Sequence, residues 1–558
     1  MALGGGIWAV QNKVLPGTYI NFSSVAKASA TLSDRGYAAM PLMLDWGPDS
    51  TVFTVTSGDF QKNSLKIFGH AYTDDALLPL RELFQYTQTL YAYRLNGGGA
   101  KATCAYCTAK YSGIAGNKLY VVIAANADNA DLFDVSLYYD TTLLDTQTVA
   151  AATALKDNDF VTWKTTASLA ATAKTPLTGG TNGTANAAAH QAALDKFESY
   201  SFNTLGCPSD DSTTIKLYIN YTKRLRDEVG AKFQTVIFNL DSNEKLADYE
   251  GVIEIGSKVT DYDSGISGLG QYGLVYWMTG ASAGCAVNKS NTNKKYDGEL
   301  TVDVDRTQVE LEAAIKAGRL MFHNVNGDVR ILEDIDSLIT VSDTKGDVFK
   351  SNQTIRVCDQ IANDTAVLFN TRYLGTVPND AAGRIALWND ICKLHQDLES
   401  IRAIEDFDPD SVTVEQGDTK KAVLCTVKDL NVVNAILNTK KTKIKKLSEG
   451  FKFLQIRFKL TETGKVLRKM SFESIKKIRR KLKKFKLWNI EGRVVKIAGK
   501  FVRRVFPLSD ICSAYESWRG HMKRGNSFHA VERMDLYFKK LFGFHPNNKI
   551  EWRKALCT

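Results

Sequence analysis

The stretch FQTVIFNLDSNEKLADYEGVIEIG, residues 233–256, opens the segment Phe233 to Thr340 that decides the fold of this chain. It contains two short runs rich in β-branched residues, Thr235–Phe238 and Val252–Ile255, and polar residues or glycine close each run. Continuous apolar runs of this length are typical of strands that are buried on both faces. The sequence therefore predicts two buried strands.

Two helices are predicted further along the same segment. Between Tyr272 and Val287 the sequence YGLVYWMTGASAGCAV is apolar throughout and rich in Gly and Ala. A helix of such small residues can lie very close against a sheet. The second predicted helix, Gln308 to Lys316, ends before Gly318, a residue suited to a helix C-terminal cap.

A hairpin is predicted to follow these helices. The runs Leu320–His323 and Val329–Leu332 flank Asn326-Gly327, a dipeptide that readily supplies the two positive φ angles of a tight turn. Strands, helices and a hairpin at this spacing predict an α/β layer.

These motifs resemble the signature region of contractile-phage tail sheath proteins. The segment Trp277 to Gly298, WMTGASAGCAVNKSNTNKKYDG, is similar to the small-residue helix and the Val-Asn-x-Ser-x-Thr loop of that family. The segment Ala314 to Thr340 is similar to its Ala-Gly-x-Leu strand and hairpin, although Asp336-Ser337-Leu338 stands where the family has Asn-Thr-Leu. The resemblance implies a core that is called subtilisin-like for its fold and has no protease activity.

Composition limits the class of protein. A chain of 558 residues with 44% hydrophobic residues can bury several cores, and its length indicates about three to five domains. No apolar run is long enough to span a membrane, and the N-terminus lacks the features of a signal peptide. The nine cysteines have no repeating spacing, which favours free thiols in a reducing cytoplasm over a disulfide framework.

The net charge of +10 is unevenly distributed. Residues 436–558 contain 33 Lys and Arg against 9 Asp and Glu, a net charge of +24, so residues 1–435 carry −14. A split of this kind indicates two partners or two origins for the two parts of the chain.

Residues 1–22 are predicted to form an extended arm. The Gly-rich opening is followed by VLPGTYINF, in which Pro16-Gly17 forms a turn before strand-forming residues. A frayed terminus is one interpretation, and a strand donated to the sheet edge of a neighbouring subunit is the other. The opening resembles that of sheath proteins from phages and phage-like particles of Gram-positive bacteria, so we favour the donated strand. The candidate inter-subunit residues are Val14, Tyr19, Ile20 and Phe22.

Residues 23–180 are predicted to form two parts. Residues 23–95 contain predicted strands at Tyr37–Asp45, Val52–Thr56 and Leu90–Leu95, and a helix at Ala76–Gln85. Asp74 and Asp75 are predicted to cap that helix. From residue 96 to 180 the pattern becomes all-β and predicts an inserted β-sandwich.

Residues 341–435 resemble the sheath C-terminal domain in the order and spacing of their elements. A helix within Val348–Leu374 precedes a second helix that begins at Pro378-Asn379-Asp380, and strands follow at Ser411–Glu415 and Ala422–Val427. The matching features include an Arg356…Asp359 pair and the Tyr373-Leu374-Gly375 turn. The second helix carries an apolar stripe of Ile385, Trp388, Ile391, Leu394, Leu398 and Ile401.

The sheath resemblance stops after Val433, and residues 436–558 resemble the thumb end of phage and group-II-intron-like reverse transcriptases. The motifs that carry this second resemblance are FLQIRFKLTETGKV, AYESWRGH and RGNS. Nucleotide transfer needs metal ions held by palm carboxylates. The Tyr-x-Asp-Asp match, Tyr72–Asp75, lies far upstream at a helix start, and we interpret it as a chance match with a capping role. The tail therefore has no predicted polymerase.

Other enzyme and metal interpretations are weak. His323, Asp303 and Ser282 are residue types of a hydrolase triad, but no nucleophile motif surrounds a serine, so we interpret His323 as structural. Cys104-Ala-Tyr-Cys107 is a single C-x-x-C, which cannot close a tetrahedral zinc site alone. Two packing residues are the favoured interpretation of this pair over metal or redox use. No catalytic residue, cofactor or metal is predicted.

A basic helix, SFESIKKIRRKLKKFK, is the outstanding feature of the tail. Its cations and interleaved Phe residues suit a surface that follows phosphates without reading sequence, and a solvated charge run is the alternative. The candidate RNA or DNA contacts are Lys476, Lys477, Arg479, Arg480, Lys483, Lys484 and Arg519.

We therefore predict an α/β and β multidomain protein with a subtilisin-like sheath core, an inserted β-sandwich, a sheath C-terminal α+β domain and a basic, mostly helical tail. The predicted parts are residues 1–22, 23–95, 96–180, 181–340, 341–435 and 436–558. The predicted role is a subunit of a contractile tail sheath, with itself, the tail tube protein, the baseplate and the tail terminator as partners and no membrane contact. Its predicted location is the virion tail, after the host cytoplasm. A sheath-scaffolded nucleic-acid-binding fusion and a non-functional gene join are the alternatives.

Overall fold

The chain divides into two compact units, residues 1–436 and residues 437–558. The computed structural model describes residues 32–433 apart from 267, 343–344, 421 and 429. Beyond residue 433 it describes 451–453, 456–460, 466–470, 472–497, 500–505, 507–524, 528–548, 550–551 and 554.

In the described part of the first unit, strands and helices alternate before and after a block of consecutive strands. The strands are β1 (Tyr37–Leu42), β2 (Val52–Thr56), β3 (Thr89–Arg94), β4 (Lys101–Thr103), β5 (Cys107–Ser112), β6 (Leu119–Ala125), β7 (Phe133–Tyr139), β8 (Thr142–Val149), β9 (Val161–Trp163), β10 (Thr172–Pro176), β11 (Thr204–Gly206), β12 (Gln234–Phe238), β13 (Val252–Ile255), β14 (Val259–Asp261), β15 (Thr301–Val302), β16 (Phe322–Val325), β17 (Asp328–Ile331), β18 (Val412–Gln416) and β19 (Val423–Val427). The helices are α1 (Ser57–Phe68), α2 (Leu78–Phe84), α3 (Ala187–Phe197), α4 (Ser212–Arg224), α5 (Leu274–Gly284), α6 (Gln308–Lys316), α7 (Asn352–Leu368) and α8 (Ala381–Ser400).

A six-stranded sheet with the order β13-β12-β11-β1-β3-β2 forms the core of the first unit. Neighbouring strands are parallel except for the antiparallel pair β2 and β3. Strands β12 and β13 are buried along their whole length, which confirms the two buried strands predicted from their apolar runs. The predicted segments 23–95 and 181–340 both contribute strands, so they build one α/β layer.

Helices cover both faces of this sheet. Helices α1, α2 and α5 pack on the face that carries Met40, and α3 and α4 pack on the face that carries Ala39. The sequence analysis missed α1, α3 and α4. Helix α2 is preceded by a short 3₁₀ turn, and the predicted Asp74 cap is wrong because its carboxylate accepts from the Ala71 amide at 2.8 Å instead.

Helix α5 confirms the predicted small-residue helix and shows where it makes its closest approach. A Cβ atom added at Gly280 would lie 2.2 Å from the Leu83 carbonyl oxygen, and one at Gly284 would lie 2.3 Å from the Tyr86 carbonyl oxygen. Contacts this short exclude any side chain without a shift of the backbone. The tightest contact of α5 is therefore with α2 and the residues after it.

The predicted α6, its glycine end and the hairpin after it are also confirmed. Gly318 follows the helix with a φ of +68°. Asn326 and Gly327 have φ angles of +53° and +90° between β16 and β17, as a two-residue turn requires.

Strands β4 to β10 form the predicted two-sheet insertion. One sheet has the order β10-β6-β7-β8 and the other β4-β5-β9, and their inner faces share one hydrophobic core. The chain enters and leaves the insertion side by side, because the Gly183 amide donates to the Asn96 carbonyl at 2.9 Å.

Helices α7 and α8 and the β18–β19 hairpin form the last described part of the first unit. The helix starting after Asp380 is confirmed, and the Asp380 side chain caps it by accepting from the Gly383 amide at 2.7 Å. The predicted apolar stripe is wrong at both ends, because Ile385 and Ile401 are 59% and 37% exposed. Only the middle of the stripe packs against α7 and β18.

The second unit contains three helices and five strands among its described residues. The strands are β20 (Phe451–Phe453), β21 (Ile456–Leu460), β22 (Val466–Met470), β23 (Arg493–Ile497) and β24 (Lys500–Arg504), and the helices are α9 (Phe472–Glu491), α10 (Leu508–Arg524) and α11 (Phe528–Phe542). Strands β21 and β22 form one antiparallel pair, and strands β23 and β24 form another. Residues of all three helices share a hydrophobic core around Phe485, Tyr515 and Phe538.

Candidate functional site

Helix α7 buries a polar face against the rest of the first unit. Its buried side chains include Asn352, Gln353, Arg356, Asp359 and Gln360. Buried polar groups are normally hydrogen-bonded, so a polar face of this kind requires matching partners on the surface that it covers. Those partners come from α4, from the segment after β17 and from the start of the described chain.

Asp334 is the centre of the first group of these partners. Its carboxylate accepts from Arg356 Nη2 at 2.7 Å, from the Asn291 amide at 2.8 Å and from Asn352 Nδ2 at 2.9 Å. Burial by itself raises the pKa of the Asp334 carboxyl, but the charge and hydrogen bonds of Arg356 hold it below its ordinary value. The buried ion pair therefore fixes α7 to the loop that follows β17.

Asp359 forms the second buried ion pair of α7, and its partner is Arg226 near the end of α4. The contact is bidentate, with Nη1 at 2.6 Å and Nη2 at 2.8 Å from the two carboxylate oxygens. Arg356 and Asp359, which were named together as a feature that matches the sheath C-terminal domain, therefore do not bind each other. Although the two residues lie one helical turn apart, each one points to a different partner outside the helix.

The predicted arm residues Val14, Tyr19, Ile20 and Phe22 lie outside the described residues. The chain that follows them is anchored from its first described residues onward. Gln360 Nε2 donates to Ser33 Oγ at 2.7 Å, and the Arg35 guanidinium donates to the Cys285 and Ser282 carbonyls at 2.7 and 3.1 Å. Burial, and then the charge of Arg356, lowers the pKa of Arg35 to about 10. The first described residues are thus held by both α5 and α7.

The β18–β19 hairpin has two open sheet edges. It is a separate two-stranded antiparallel sheet, and no other described strand pairs with either of its edges. Its β18 side is held by α8, since Trp388 Nε1 donates to the Val412 carbonyl at 3.0 Å. On β19, Leu424 is 56% exposed. An open edge with an exposed apolar side chain can accept a further strand.

The end of the first unit lies on the same part of the fold as its beginning. The Val433 amide donates to the Ala403 carbonyl at 2.9 Å, and Gln353 Nε2 donates to the Val433 carbonyl at 2.8 Å. Helix α7 therefore holds the incoming chain near Ser33 through Gln360 and the outgoing chain at Val433 through Gln353. The junction predicted after Val433 falls within residues 434–450, which lie outside the described residues.

Helix α9 presents its basic side chains outward and its apolar side chains inward. Leu482 and Phe485 are buried in the core of the second unit. None of the exposed cations forms an ion pair with a carboxylate among the described residues. The exposed cations are Lys476, Lys477, Arg479, Arg480, Lys481, Lys483 and Lys484.

Arg519, the remaining candidate nucleic-acid contact, is placed differently. It is 7% exposed, and its guanidinium donates to the Asp535 carboxylate at 2.7 and 3.0 Å. Asp535 also accepts from the Tyr515 hydroxyl at 2.7 Å. A buried, paired guanidinium is not available to a phosphate, so Arg519 stabilises the contact of α10 with α11 and is removed from the candidate contacts.

The residue types considered for hydrolysis do not form a catalytic group in the described structure. Ser282 is buried in α5, and no hydrogen bond links its Oγ to any described side chain. Asp303 is paired with Arg306 at 3.2 Å, and His323 lies in β16. Burial, together with the charge of Arg330, lowers the pKa of His323.

The described residues contain no group of three or more His, Cys, Asp and Glu side chains that could hold a metal ion. In the same part of the chain, none of the helices combines the length and hydrophobicity needed to cross a membrane.

The sequence analysis missed Arg94, which holds the insertion to the core. It lies at the end of β3, is 1% exposed and donates to the Leu44 carbonyl at 3.0 Å and the Ser112 carbonyl at 2.8 Å. It also contacts Asp49 and Asn182, each at 3.2 Å. In the sequence, Arg94 is visible only as one arginine at the end of an apolar strand. Its hydrogen-bond partners cannot be identified from that pattern.

Four domain models of one family match the first unit in succession. They describe the tail sheath protein Gp18 domain III N-terminal region at residues 35–95, the phage tail sheath protein beta-sandwich domain at 97–182, the phage tail sheath protein central domain at 183–337 and the phage tail sheath C-terminal domain at 344–439.

Whole-chain comparisons agree with these models. The phage-like element PBSX protein XkdK of Bacillus subtilis is 29% identical over 460 residues, which cover 75% of this chain and 95% of the relative. The solved sheath tail protein of Listeria innocua has a TM-score of 0.63 and 28% identity over 72% of this chain and 93% of its own. The solved sheath tail protein of Desulfitobacterium hafniense has a TM-score of 0.62 and 34% identity with the same coverage. The chain therefore belongs to the phage tail sheath protein family and is a structural sheath subunit.

Proposed function

We propose that this subunit polymerises with copies of itself around a tail tube and contracts to drive injection. The single observation that carries the proposal is the unbroken succession of sheath-domain matches over residues 35–439. The other proposed partners are the tail tube protein, the baseplate and the tail terminator. The proposed site of action is the virion tail, after a period in the bacterial host cytoplasm, and the role requires no catalytic residue, cofactor or metal.

The six-part division of the chain belongs to this proposal. The α/β layer of residues 23–95 and 181–340 is the subtilisin-like core, the insertion projects from it, and residues 341–435 are the C-terminal domain. The limits of the four matched models, 35–95, 97–182, 183–337 and 344–439, support these boundaries.

The assembly contacts in this proposal are the N-terminal arm and the β18–β19 hairpin. The arm, with Val14, Tyr19, Ile20 and Phe22, adds a strand to an open edge of a neighbour's hairpin. Two features support this contact: the open edges at β18 and β19, and the anchoring of the chain at Ser33 and Arg35. A strand that leaves an anchored base can link neighbouring cores through main-chain hydrogen bonds while the cores move.

Deleting Met1 to Pro16 tests the arm. We expect the shortened chain to keep the circular dichroism and melting temperature of the intact protein, because the proposed arm makes contacts between subunits and not within one subunit. We also expect the same deletion to prevent tube formation when it is made in a chain that ends, after Val433, in an apolar strand. Long tubular polymers of this deletion in negative-stain micrographs would contradict the assigned role of the arm.

A second candidate function concerns the second unit. We propose that α9 binds RNA or DNA through Lys476, Lys477, Arg479, Arg480, Lys483 and Lys484 without reading sequence. Their exposure and their lack of carboxylate partners in the described structure leave them accessible to an external phosphate, and a solvated charge run is the alternative. The resemblance of residues 436–558 to a reverse-transcriptase thumb stays a prediction, and the matched sheath models end at residue 439.

The non-functional gene join makes a different prediction about the DNA. Amplification and sequencing across the codons around Asn434 from source DNA distinguishes a continuous reading frame from a join made during sequence assembly. Two separate products in place of one continuous product would remove the second unit from this protein.

A further inference from the structure

The turn between β4 and β5 brings two thiols together. The Cys104 amide donates to the Cys107 carbonyl at 2.9 Å, and the two Sγ atoms are 3.7 Å apart. Thr103 and Thr108 are aligned directly behind the turn, and their hydroxyls are 3.1 Å apart. The two thiols are therefore held on the same side of one tight turn, where small side-chain rotations can bring the sulfurs to bonding distance.

The two thiols have different surroundings. Cys107 is fully buried and belongs to the core of the insertion, whereas Cys104 is partly exposed. The Tyr106 amide donates to Cys104 Sγ at 3.4 Å. The hydrogen bond with Cys107 lowers the pKa of the Cys104 thiol to about 6, and the same hydrogen bond, together with burial, raises the pKa of Cys107. One sulfur is accessible and stabilised as a thiolate, and the other is protected beside it.

We propose that Cys104 and Cys107 form a thiol–disulfide exchange site for low-molecular-weight disulfides, with Cys104 as the attacking thiol and Cys107 as the resolving thiol. The Cys104 thiolate attacks one sulfur of the small disulfide, and the first small thiolate leaves. Cys107 then loses its proton to solvent and attacks the Cys104 sulfur, and the second small thiolate leaves. The protein gains one disulfide bond, and the small disulfide is reduced to two thiols, so electrons and protons balance.

The other described cysteines do not offer this arrangement. Cys207, Cys285, Cys392 and Cys512 are buried and Cys358 is partly buried, and none of the five has a second thiol within hydrogen-bonding distance among the described residues. Cys425 is exposed, and it also has no second thiol within hydrogen-bonding distance among the described residues. The buried cysteines therefore serve as controls for the effect of burial on reactivity, and Cys425 serves as the control for the effect of exposure.

The proposed disulfide closes the turn at the rim of the insertion. The reducing cytoplasm opposes this bond, and an oxidising exterior favours it. A particle that leaves the host would thus gain one disulfide bond in every insertion domain. This consequence rests on the proposed function, whereas the exchange chemistry does not, because it can be measured on the purified chain before any assembly.

Peptide mapping of the full-length protein tests the exchange. The reduced protein is incubated with oxidised glutathione at neutral pH, alkylated with iodoacetamide and digested with trypsin. Lys101 and Lys110 flank both cysteines, so one peptide, Ala102–Lys110, contains the pair. We expect this peptide to lose about 2 Da, the mass of two hydrogens, and to resist alkylation. A peptide that carries two alkyl groups after the incubation overturns the proposal.

Two single variants separate the roles of the thiols. In Cys107→Ser, which keeps a hydroxyl donor beside Cys104, we expect a stable glutathione adduct of about 305 Da on Cys104. In Cys104→Ser we expect Cys107 to stay unmodified because it is buried. An adduct on Cys107 in the second variant, or none on Cys104 in the first, contradicts the assignment. Cys425 serves as the control that takes up one glutathione and forms no intramolecular bond.

The pH dependence of alkylation provides an independent measurement on Cys107→Ser. We expect Cys104 to react at pH 7 within about two-fold of its rate at pH 9, since a thiol of low pKa is already ionised. An ordinary thiol with a pKa of about 8.5 reacts about 25-fold more slowly at pH 7 than at pH 9. A 25-fold difference at Cys104 would overturn its role as the attacking thiol.

Discussion

In the first unit, buried arginines pair with buried carboxylates, whereas helix α9 of the second unit exposes cations that have no carboxylate partner among the described residues. Arg356 and Asp334 are 1% and 0% exposed as side chains and lie 2.7 Å apart. Arg319 and Glu254 form a further buried pair at 3.1 Å. The second unit also has a buried ion pair, Arg519 with Asp535. The difference is therefore between buried cations and exposed cations, and it does not simply follow the division into two units.

The difference shows what a cation does in each setting. A buried pair holds two elements in one arrangement, because separating the partners leaves an uncompensated charge in the protein interior. An exposed cation without a carboxylate partner contributes little to the stability of the fold, and it can contact an external anion or repel a like-charged neighbour. The first kind positions the sheath domains, and the second kind decides which molecules the chain can associate with.

Breaking a buried pair is expected to produce the largest effect. Arg356→Met leaves the Asp334 carboxylate buried without its cation, and we expect the free energy of unfolding to fall by about 3–5 kcal/mol. Urea denaturation of the full chain, followed by tryptophan fluorescence, measures this change. The matched control is Lys66→Met at the Lys66–Asp159 pair, whose side chains are 52% and 47% exposed, and it should stay within about 0.5 kcal/mol.

A double variant sharpens this result. Adding Asp334→Asn to Arg356→Met removes the stranded charge and should restore part of the lost stability. If Arg356→Met destabilises no more than Lys66→Met, the buried pair does not hold α7 to the core.

Removing exposed cations should leave stability unchanged and weaken nucleic-acid binding. If all six proposed contacts on α9 bind phosphates, we expect the affinity of the full chain for a single-stranded oligonucleotide to fall about 300-fold between 50 and 200 mM salt, because the log–log slope is about −0.7 per phosphate. Changing Lys476, Arg480, Lys483 and Lys484 to Gln should reduce the magnitude of the slope by about 3. Fluorescence anisotropy measures both quantities.

The control for this prediction changes the same number of exposed charges in the first unit. The variant replaces Lys62, Lys66, Lys118 and Lys174 by Gln. An equal loss of slope in the control would assign the binding to overall charge, and the absence of binding at low salt would leave α9 as a solvated surface.

The pH dependence of the free energy of unfolding measures what it costs to bury an unpaired charge at Asp336. Asp336 is fully buried, its Oδ1 accepts from the Leu338 amide at 2.9 Å, and its Oδ2 has no partner among the described residues. Burial raises the pKa of Asp336 well above its ordinary value. The folded state therefore holds a proton that the unfolded state releases above pH of about 4.

The sign of the pH effect follows from this difference. The stabilising contribution of protonated Asp336 is complete below the unfolded pKa and decreases by about 1.4 kcal/mol per pH unit as the pH rises toward the folded pKa. Asp336→Asn removes this dependence, so its stability relative to the original protein should rise from pH 5 to pH 7. Parallel stability curves for the two proteins, as expected for the exposed control Asp131→Asn, would contradict the raised pKa.

The close contact of α5 with α2 is expected to give the smallest of these effects. Gly280→Ala places a methyl group 2.2 Å from the Leu83 carbonyl oxygen, and the resulting shift should cost about 1–3 kcal/mol. Gly346→Ala is the control, because no atom lies within 4 Å of its added Cβ. Equal melting temperatures for the two variants would show that α5 has room at this point.

Much of the fold could be predicted because short-range patterns determine it. The apolar runs at Thr235–Phe238 and Val252–Ile255, Gly318 and the Asn326-Gly327 turn all depend on neighbours in sequence. Helix α1 was missed although Phe60 and Phe68 are buried, two turns apart, and Thr56 caps it, because the residues between them are mostly polar. A weak apolar stripe on a short helix gives little signal.

The ion pairs and the thiol turn could not be predicted in the same way. Arg356 and Asp359 lie one helical turn apart, but their side chains bind Asp334 and Arg226, which lie 22 and 133 residues away. The burial of Arg519 likewise depends on Asp535 of another helix. Partners of this kind depend on tertiary packing, which a pattern of residue types along the chain does not specify.

We predict that the segment after Val433 opposes sheath assembly. The sheath resemblance implies an apolar strand at this place, where the chain has five Lys residues from Lys440 to Lys446, and residues 436–558 carry a net charge of +24. Like-charged segments repel over about 10 Å at moderate salt. The direct test is negative-stain microscopy of the intact chain beside a chain that ends, after Val433, in a restored apolar strand. We predict monomers or short oligomers for the intact chain and extended tubes for the repaired one. Regular tubes formed as readily by the intact 558-residue chain would contradict the claim.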